Sequence, residues 1–88
     1  MEDFLRQLGI TAQSVKQEEG QLVVDLLDSN DYARAYSKLD KSDLVEEDEE
    51  SSQITLENSS VQFLSDKYTI TLLADFDGDI YKLTMREN

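Results

Sequence analysis

The sequence predicts an α+β domain: an antiparallel β-sheet, made of a C-terminal four-stranded meander and an N-terminal hairpin, packed on one face by two helices. Three observations predict it. The run from Lys67 to Glu87 is β-rich on both sides of Asp77-Gly78. Asp-Gly in that setting signals a hairpin, because a type I′ turn needs positive φ at both central residues. With that turn Phe76 opposes Asp79, Ala74 opposes Tyr81, Leu72 opposes Leu83 and Ile70 opposes Met85. These residues, with Tyr68, make one nearly continuous apolar face, and a slip of one residue would turn it toward water. Two further two-residue turns, Asn58-Ser59 and Asp66-Lys67, extend the same face by setting Leu56 against Val61, Ile54 against Phe63, Phe63 against Ile70 and Val61 against Leu72. Finally, Tyr32, Ala35, Tyr36 and Leu39 fall at i, i+3, i+4 and i+7, one amphipathic stripe of a helix.

Taken in order, Glu2–Leu8 reads as a short helix with Phe4, Leu5 and Leu8 on one face. Gly9 stands where a C′ residue ends it, and Ile10 supplies the accompanying apolar contact. Residues 11–17 and 21–27 read as a hairpin around Glu19-Gly20, with Val15, Leu22, Val24 and Leu26 on one side. Asp28-Ser29-Asn30-Asp31 is a cluster of N-cap residues, and the helix it opens runs to about Asp40. Lys38 and Lys41 suit its negative C-terminal end. Asp43-Leu44-Val45 reads as a brief strand. The run Glu46-Glu47-Asp48-Glu49-Glu50-Ser51-Ser52 repels itself and offers nothing to bury, which predicts a solvated, mobile acidic loop at about residues 46–52. From Gln53 the alternation resumes.

The 88 residues form one expected domain, residues 1–88, with a formal net charge of −12. Residues 43–52 contain six acids and no base, so half of that charge sits in one short stretch. A halophilic surface would spread its acid more evenly. Contact with nucleic acid or an anionic membrane is disfavoured by the same charge. The chain has no cysteine, histidine, tryptophan or proline. Thiol chemistry is therefore excluded, and the commonest metal ligand and general base are absent. The acidic Met1-Glu2-Asp3 start and the lack of a long apolar run argue against a secretory signal or a membrane span. The expected location is the cytoplasm, of a cell or of an infected host cell.

Candidate chemistry is sparse. Asp75, Asp77 and Asp79 in DFDGD have the look of a calcium loop. However, Ile80 stands where the required glycine belongs and Arg86 where the bidentate glutamate belongs. No serine sits in a nucleophile elbow and no glycine-rich loop precedes a helix. The chain therefore reads as a non-enzyme with no catalytic, cofactor or metal residues. In size and charge it resembles the small acidic proteins of phages and mobile elements, a resemblance of composition that covers no motif.

The function expected is a small acidic protein-interaction module that binds a basic protein surface, in one version as a nucleic-acid mimic or inhibitor. Its partner-binding residues would be Asp43, Glu46, Glu47, Asp48, Glu49 and Glu50. The alternative is a passive structural or assembly subunit, phage-encoded in one version. It would use its sheet surface, with Leu64, Leu73 and Ile80 on the second face, and acidity would serve solubility.

Overall fold

The computed structural model describes residues 6–88. In chain order they form β1 (Ser14–Glu18), β2 (Gln21–Asp25), α1 (Ser29–Asp40), β3 (Glu46–Ile54), β4 (Asn58–Leu64), β5 (Tyr68–Asp75) and β6 (Ile80–Glu87). The strands make one six-stranded sheet in the order β1-β2-β6-β5-β4-β3. Every neighbouring pair is antiparallel. The class is thus α+β with one antiparallel sheet and one described helix. Of the expected helix at Glu2–Leu8, residues 2–5 lie outside the described residues. Leu8 is buried and Gly9 takes φ 70°.

Two cross-strand rows explain why the hairpin and the meander fuse. Val24, Leu83, Leu72 and Val61 stand opposite one another across four strands, and so do Leu22, Met85, Ile70 and Phe63. All eight are buried. Burying one large aliphatic or aromatic side chain contributes about 1.5–3 kcal/mol, so pairing β2 with β6 is strongly favoured over leaving either row unfinished. The helix closes this face with Ala35 and Leu39 fully buried and Tyr32 and Tyr36 partly so, as its periodicity predicts. Tyr32 packs on Tyr81, and Tyr36 meets Phe63 edge-on. Val15 shares the face but is exposed near the sheet edge.

The N-cap is Asp28, whose carboxylate accepts the Asp31 N–H at 3.0 Å. Asp31 itself is fully buried, which its place in the N-cap cluster did not suggest. Its Oδ1 accepts from Thr11 N (2.9 Å) and from the Arg34 guanidinium (2.6 Å). Its Oδ2 accepts from Ala12 N (2.9 Å) and Leu27 N (3.0 Å). Burial alone would push its pKa up. The three backbone N–H groups and Arg34 outweigh burial and hold the carboxyl well below the usual carboxylate range.

The turns depart from expectation in an instructive way. The register of β5 and β6 is as read, with Ala74 on Tyr81, Leu72 on Leu83 and Ile70 on Met85. The connection, however, is a four-residue loop, Phe76–Asp79, closed by Asp75 on Ile80. Gly78 does not have positive φ; Asp79 does, at 53°. Asp75 Oδ1 accepts the Gly78 N–H at 3.1 Å and caps the loop. A two-residue and a four-residue loop centred on the same point yield the same pairs, so the apolar pattern could not tell them apart. The type I′ signature lies instead at Glu19 (φ 41°) and Gly20 (φ 82°), between β1 and β2.

The turn expected at Asn58-Ser59 sits two residues earlier, at Leu56-Glu57. Thr55 N donates to the Asn58 carbonyl at 2.7 Å, and the Thr55 hydroxyl accepts the Glu57 and Asn58 N–H groups. Leu56 is therefore a turn tip, 99% exposed, and Ile54 faces Ser59 rather than Phe63. Asp66-Lys67 is a turn as read, with Phe63 on Ile70 and Val61 on Leu72. Asp43 and Leu44 form a bend and not a strand, while Val45 is buried.

Two outcomes test this description. Asp79→Val should destabilise the domain by about 1 kcal/mol or more, because a β-branched residue resists positive φ. Gly78→Ala should cost less, and thermal melts that ranked the two the other way would restore the type I′ turn. Asp31→Asn puts an amide donor where each carboxylate oxygen meets two donors, so it should cost about 2–3 kcal/mol at neutral pH. The wild-type carboxyl is held below its unfolded value of about 3.9, so its contribution is complete above that pH and drains away as pH falls below it. In denaturant unfolding, the gap between wild type and Asp31→Asn should therefore narrow below about pH 4.

Candidate functional site

The acidic run is not a mobile loop. Glu46–Ile54 is β3, an edge strand of the sheet. The run joins the sheet because the Leu56-Glu57 turn comes early. Ser59 and Ser60 of β4 then take Ile54 and Gln53 as partners, and the Gln62–Leu64 half must draw its own from Asp48, Glu47 and Glu46. Between the two halves the register shifts, and Glu49–Ser52 bulge out opposite Val61. Ser52 closes the neck of the bulge. Its hydroxyl donates to the Asp48 carbonyl at 2.8 Å and accepts the Gln62 N–H at 3.1 Å, standing in for the missing ladder bond. An edge strand needs only one hydrogen-bonded neighbour, so it can carry charges that an interior strand could not.

Strand alternation divides the six candidate residues. Glu47 shares its row with Phe63 on the helix side, and the Tyr36 hydroxyl donates to Glu47 Oε1 at 3.0 Å. That bond to a carboxylate, helped by burial, raises the Tyr36 phenol above its ordinary pKa. Glu46 and Asp48 sit opposite Leu64 and Gln62, on the uncovered face. Glu49 and Glu50 are exposed in the bulge, and Asp43 lies in the bend before β3.

The structure gathers four of the six around one open cleft of about 610 Å³. Asp43, Glu46, Glu47 and Asp48 line it, joined by Leu64 and Asp66. Glu49 and Glu50 do not reach it. Asp66 was read only as a turn residue; its position in the turn just after β4, close to the pair Leu64–Glu46, is what brings it in. No basic side chain lines the cleft. Among the described residues the ion pairs are Arg34–Asp31 and Lys82–Asp25, neither of them on β3. Among the same residues no three acidic side chains converge on a point that would hold a cation. Of the DFDGD acids, Asp75 is engaged in capping its own loop.

The second sheet face carries no described helix, and Leu64, Leu73 and Ile80 are all exposed on it. No described helix is long and apolar enough to cross a membrane. No protein-family model, curated protein or solved structure matches the chain.

The alternation makes the acids unequal in energetic terms. Changing Glu46, Glu49 and Glu50 together to Gln should leave the fold intact and stability equal or slightly higher at low salt, the difference fading as salt screens the repulsion. Glu47→Ala should cost about 1 kcal/mol, because it strands the Tyr36 hydroxyl. It should also return the Tyr36 phenol toward its ordinary pKa in a spectrophotometric titration. Thermal melts that ranked Glu47 with the other three would break the link between helix and strand.

Proposed function

We propose that this chain is a non-enzymatic interaction module that binds a basic protein surface through the carboxylates of β3 and the cleft beside it. The observation that carries the reading is the extended backbone of the acidic run. A strand advances about 3.3 Å per residue, and one strand of duplex DNA carries one phosphate per about 3.4 Å. On the uncovered face Glu46 and Asp48 therefore stand about 6.6 Å apart, half the charge density of a nucleic-acid strand, with Glu49 and Glu50 beyond them. A groove built to bind nucleic acid is one basic surface that such a row of carboxylates would attract, which is the mimic or inhibitor version. Holding the acids on a strand also removes much of the ordering cost that a mobile loop would add on binding.

A second reading has its own observation. The uncovered sheet face, with Leu64, Leu73 and Ile80 exposed, suits a passive structural or assembly subunit, and the acidic edge would then serve solubility and block strand-to-strand association.

The test is a pull-down from lysate at low and high salt, followed by kinetics on the recovered partner. Affinity should fall as salt rises, and fall less steeply for the Glu46, Glu47, Glu49 and Glu50 to Gln variant. That variant should slow association more than it speeds dissociation, because long-range attraction acts mainly on encounter. Binding indifferent to salt and to β3 charge would sink this reading and move attention to Leu64, Leu73 and Ile80.

A further inference from the structure

The acidic cleft lies at the Leu64 end of β4; a different surface lies at the Asn58 end, about 20 Å away along a seven-residue strand. There the two loops of the meander meet, with Phe76 N–H donating to the Glu57 carbonyl at 2.9 Å. Residues 54–58 and 75–80 contain four acids, Glu57, Asp75, Asp77 and Asp79, and no base. The same segments leave Ile54 69%, Leu56 99% and Phe76 45% exposed. Beside them an open groove of about 320 Å³ runs between α1 and the sheet, lined chiefly by Tyr32, Tyr36, Ile54, Val61 and Phe76. The hydroxyls of Tyr32 and Tyr36 are already engaged by Ser59 and Glu47. The groove therefore offers mostly ring and aliphatic surface, and the two loops that supply Ile54 and Phe76 to it are acidic.

We propose that this groove docks a basic segment of a partner protein, seated by one bulky apolar side chain flanked by lysine or arginine. The size of the groove suits a single aromatic or leucine side chain and not a whole helix face. The two loops select the flanks: acidic neighbours would be repelled by Asp77, Asp79 and Glu57, and basic ones attracted. A second copy of the chain fits poorly, because each copy brings a net charge of −12. The groove uses none of the cleft-lining residues except Glu47, which reaches it only through Tyr36, so it stands or falls apart from the β3 reading.

The test uses two peptides as probes, an oligolysine and the same peptide with phenylalanine at its centre, titrated by fluorescence anisotropy. The phenylalanine peptide should bind about tenfold more tightly, the worth of burying most of one aromatic side chain. Ala33→Leu, which fills the groove from the exposed side of the helix, should abolish that gain and leave oligolysine binding unchanged. Ile54→Ser, at an exposed position, should do the same by removing one wall. Equal affinity for the two peptides would overturn the proposal, as would a gain that survives both variants. So would a concentration-dependent dimer in sedimentation that Ile54→Ser abolishes, since the groove would then belong to a second copy. The triple Glu46, Glu49 and Glu50 to Gln variant separates the two readings. A phenylalanine gain that persists while neither peptide loses affinity supports the groove and removes β3 from binding; salt-sensitive binding with no phenylalanine gain does the reverse.

Discussion

The buried Asp31 carboxylate is the constraint on which much of the architecture hangs. Its two oxygens gather four donors from three places: Thr11 and Ala12 before β1, Leu27 after β2, and Arg34 one turn along α1. Taking an ionised carboxylate out of water costs several kcal/mol, so such a group persists only where donors replace its hydration. Here the replacement also fixes geometry. The chain before β1 is drawn onto the helix N-terminus with Ala12 at φ 61°, a conformation that only outside contacts would impose on alanine. The helix in turn is tied to the strand that leads into it. With α1 set in place, the Tyr32 hydroxyl meets Ser59 on β4 and the Tyr36 hydroxyl meets Glu47 on β3. One helix thus joins a buried charge at its N-terminus to the edge strand, while Ala35 and Leu39 seat it on the sheet.

How much of this was legible in the sequence depended on which force was at work. Burial leaves a periodic trace. The stripe Tyr32, Ala35, Tyr36, Leu39 and the rows through Leu72 and Ile70 were readable because each apolar residue had a partner at the right period. The loop geometry at Phe76–Asp79 was not, since register constrains the centre of a hairpin loop and leaves its length open. The Leu56-Glu57 turn was hidden because its chemistry lies in Thr55, whose hydroxyl accepts two backbone N–H groups, while Ile54 and Leu56 imitate a buried strand face. Asp31 was hidden among four consecutive N-cap formers. A backbone that folds back onto a carboxylate leaves no periodic signal.

The acidic strand shows the same limit from the other side. Five consecutive carboxylates have nothing to bury, so pattern reading assigns them to a loop. Yet an edge strand is held by main-chain hydrogen bonds on one side, and these do not depend on side-chain polarity. What β3 needs is a way to manage its charge, and three local devices supply it. Alternation sends Glu47 to a tyrosine hydroxyl and Glu46 and Asp48 toward solvent. The bulge moves Glu49 and Glu50 out of the ladder, and Ser52 repairs the gap. Four of the six candidate residues come together at one cleft, while their grouping with Asp66 required the register that the misplaced turn had obscured.

An ordered line of like charges differs from a mobile one in what it stores. In a loop the acids can move apart and relax their repulsion. In β3 they are held near strand spacing by Phe63, Gln62 and Leu64 across the ladder, so part of the folding free energy is spent against repulsion. A basic partner would relieve that repulsion on contact, while the cost of arranging the carboxylates has already been met in folding. Binding and folding stability are then linked: whatever neutralises β3 in the folded state stabilises the fold by mass action, as any ligand of the native state does. The same line of charge blunts the free sheet edge against another strand, because two such edges repel. One feature of sequence therefore has two electrostatic consequences at this edge: it would repel a second copy and attract cationic groups.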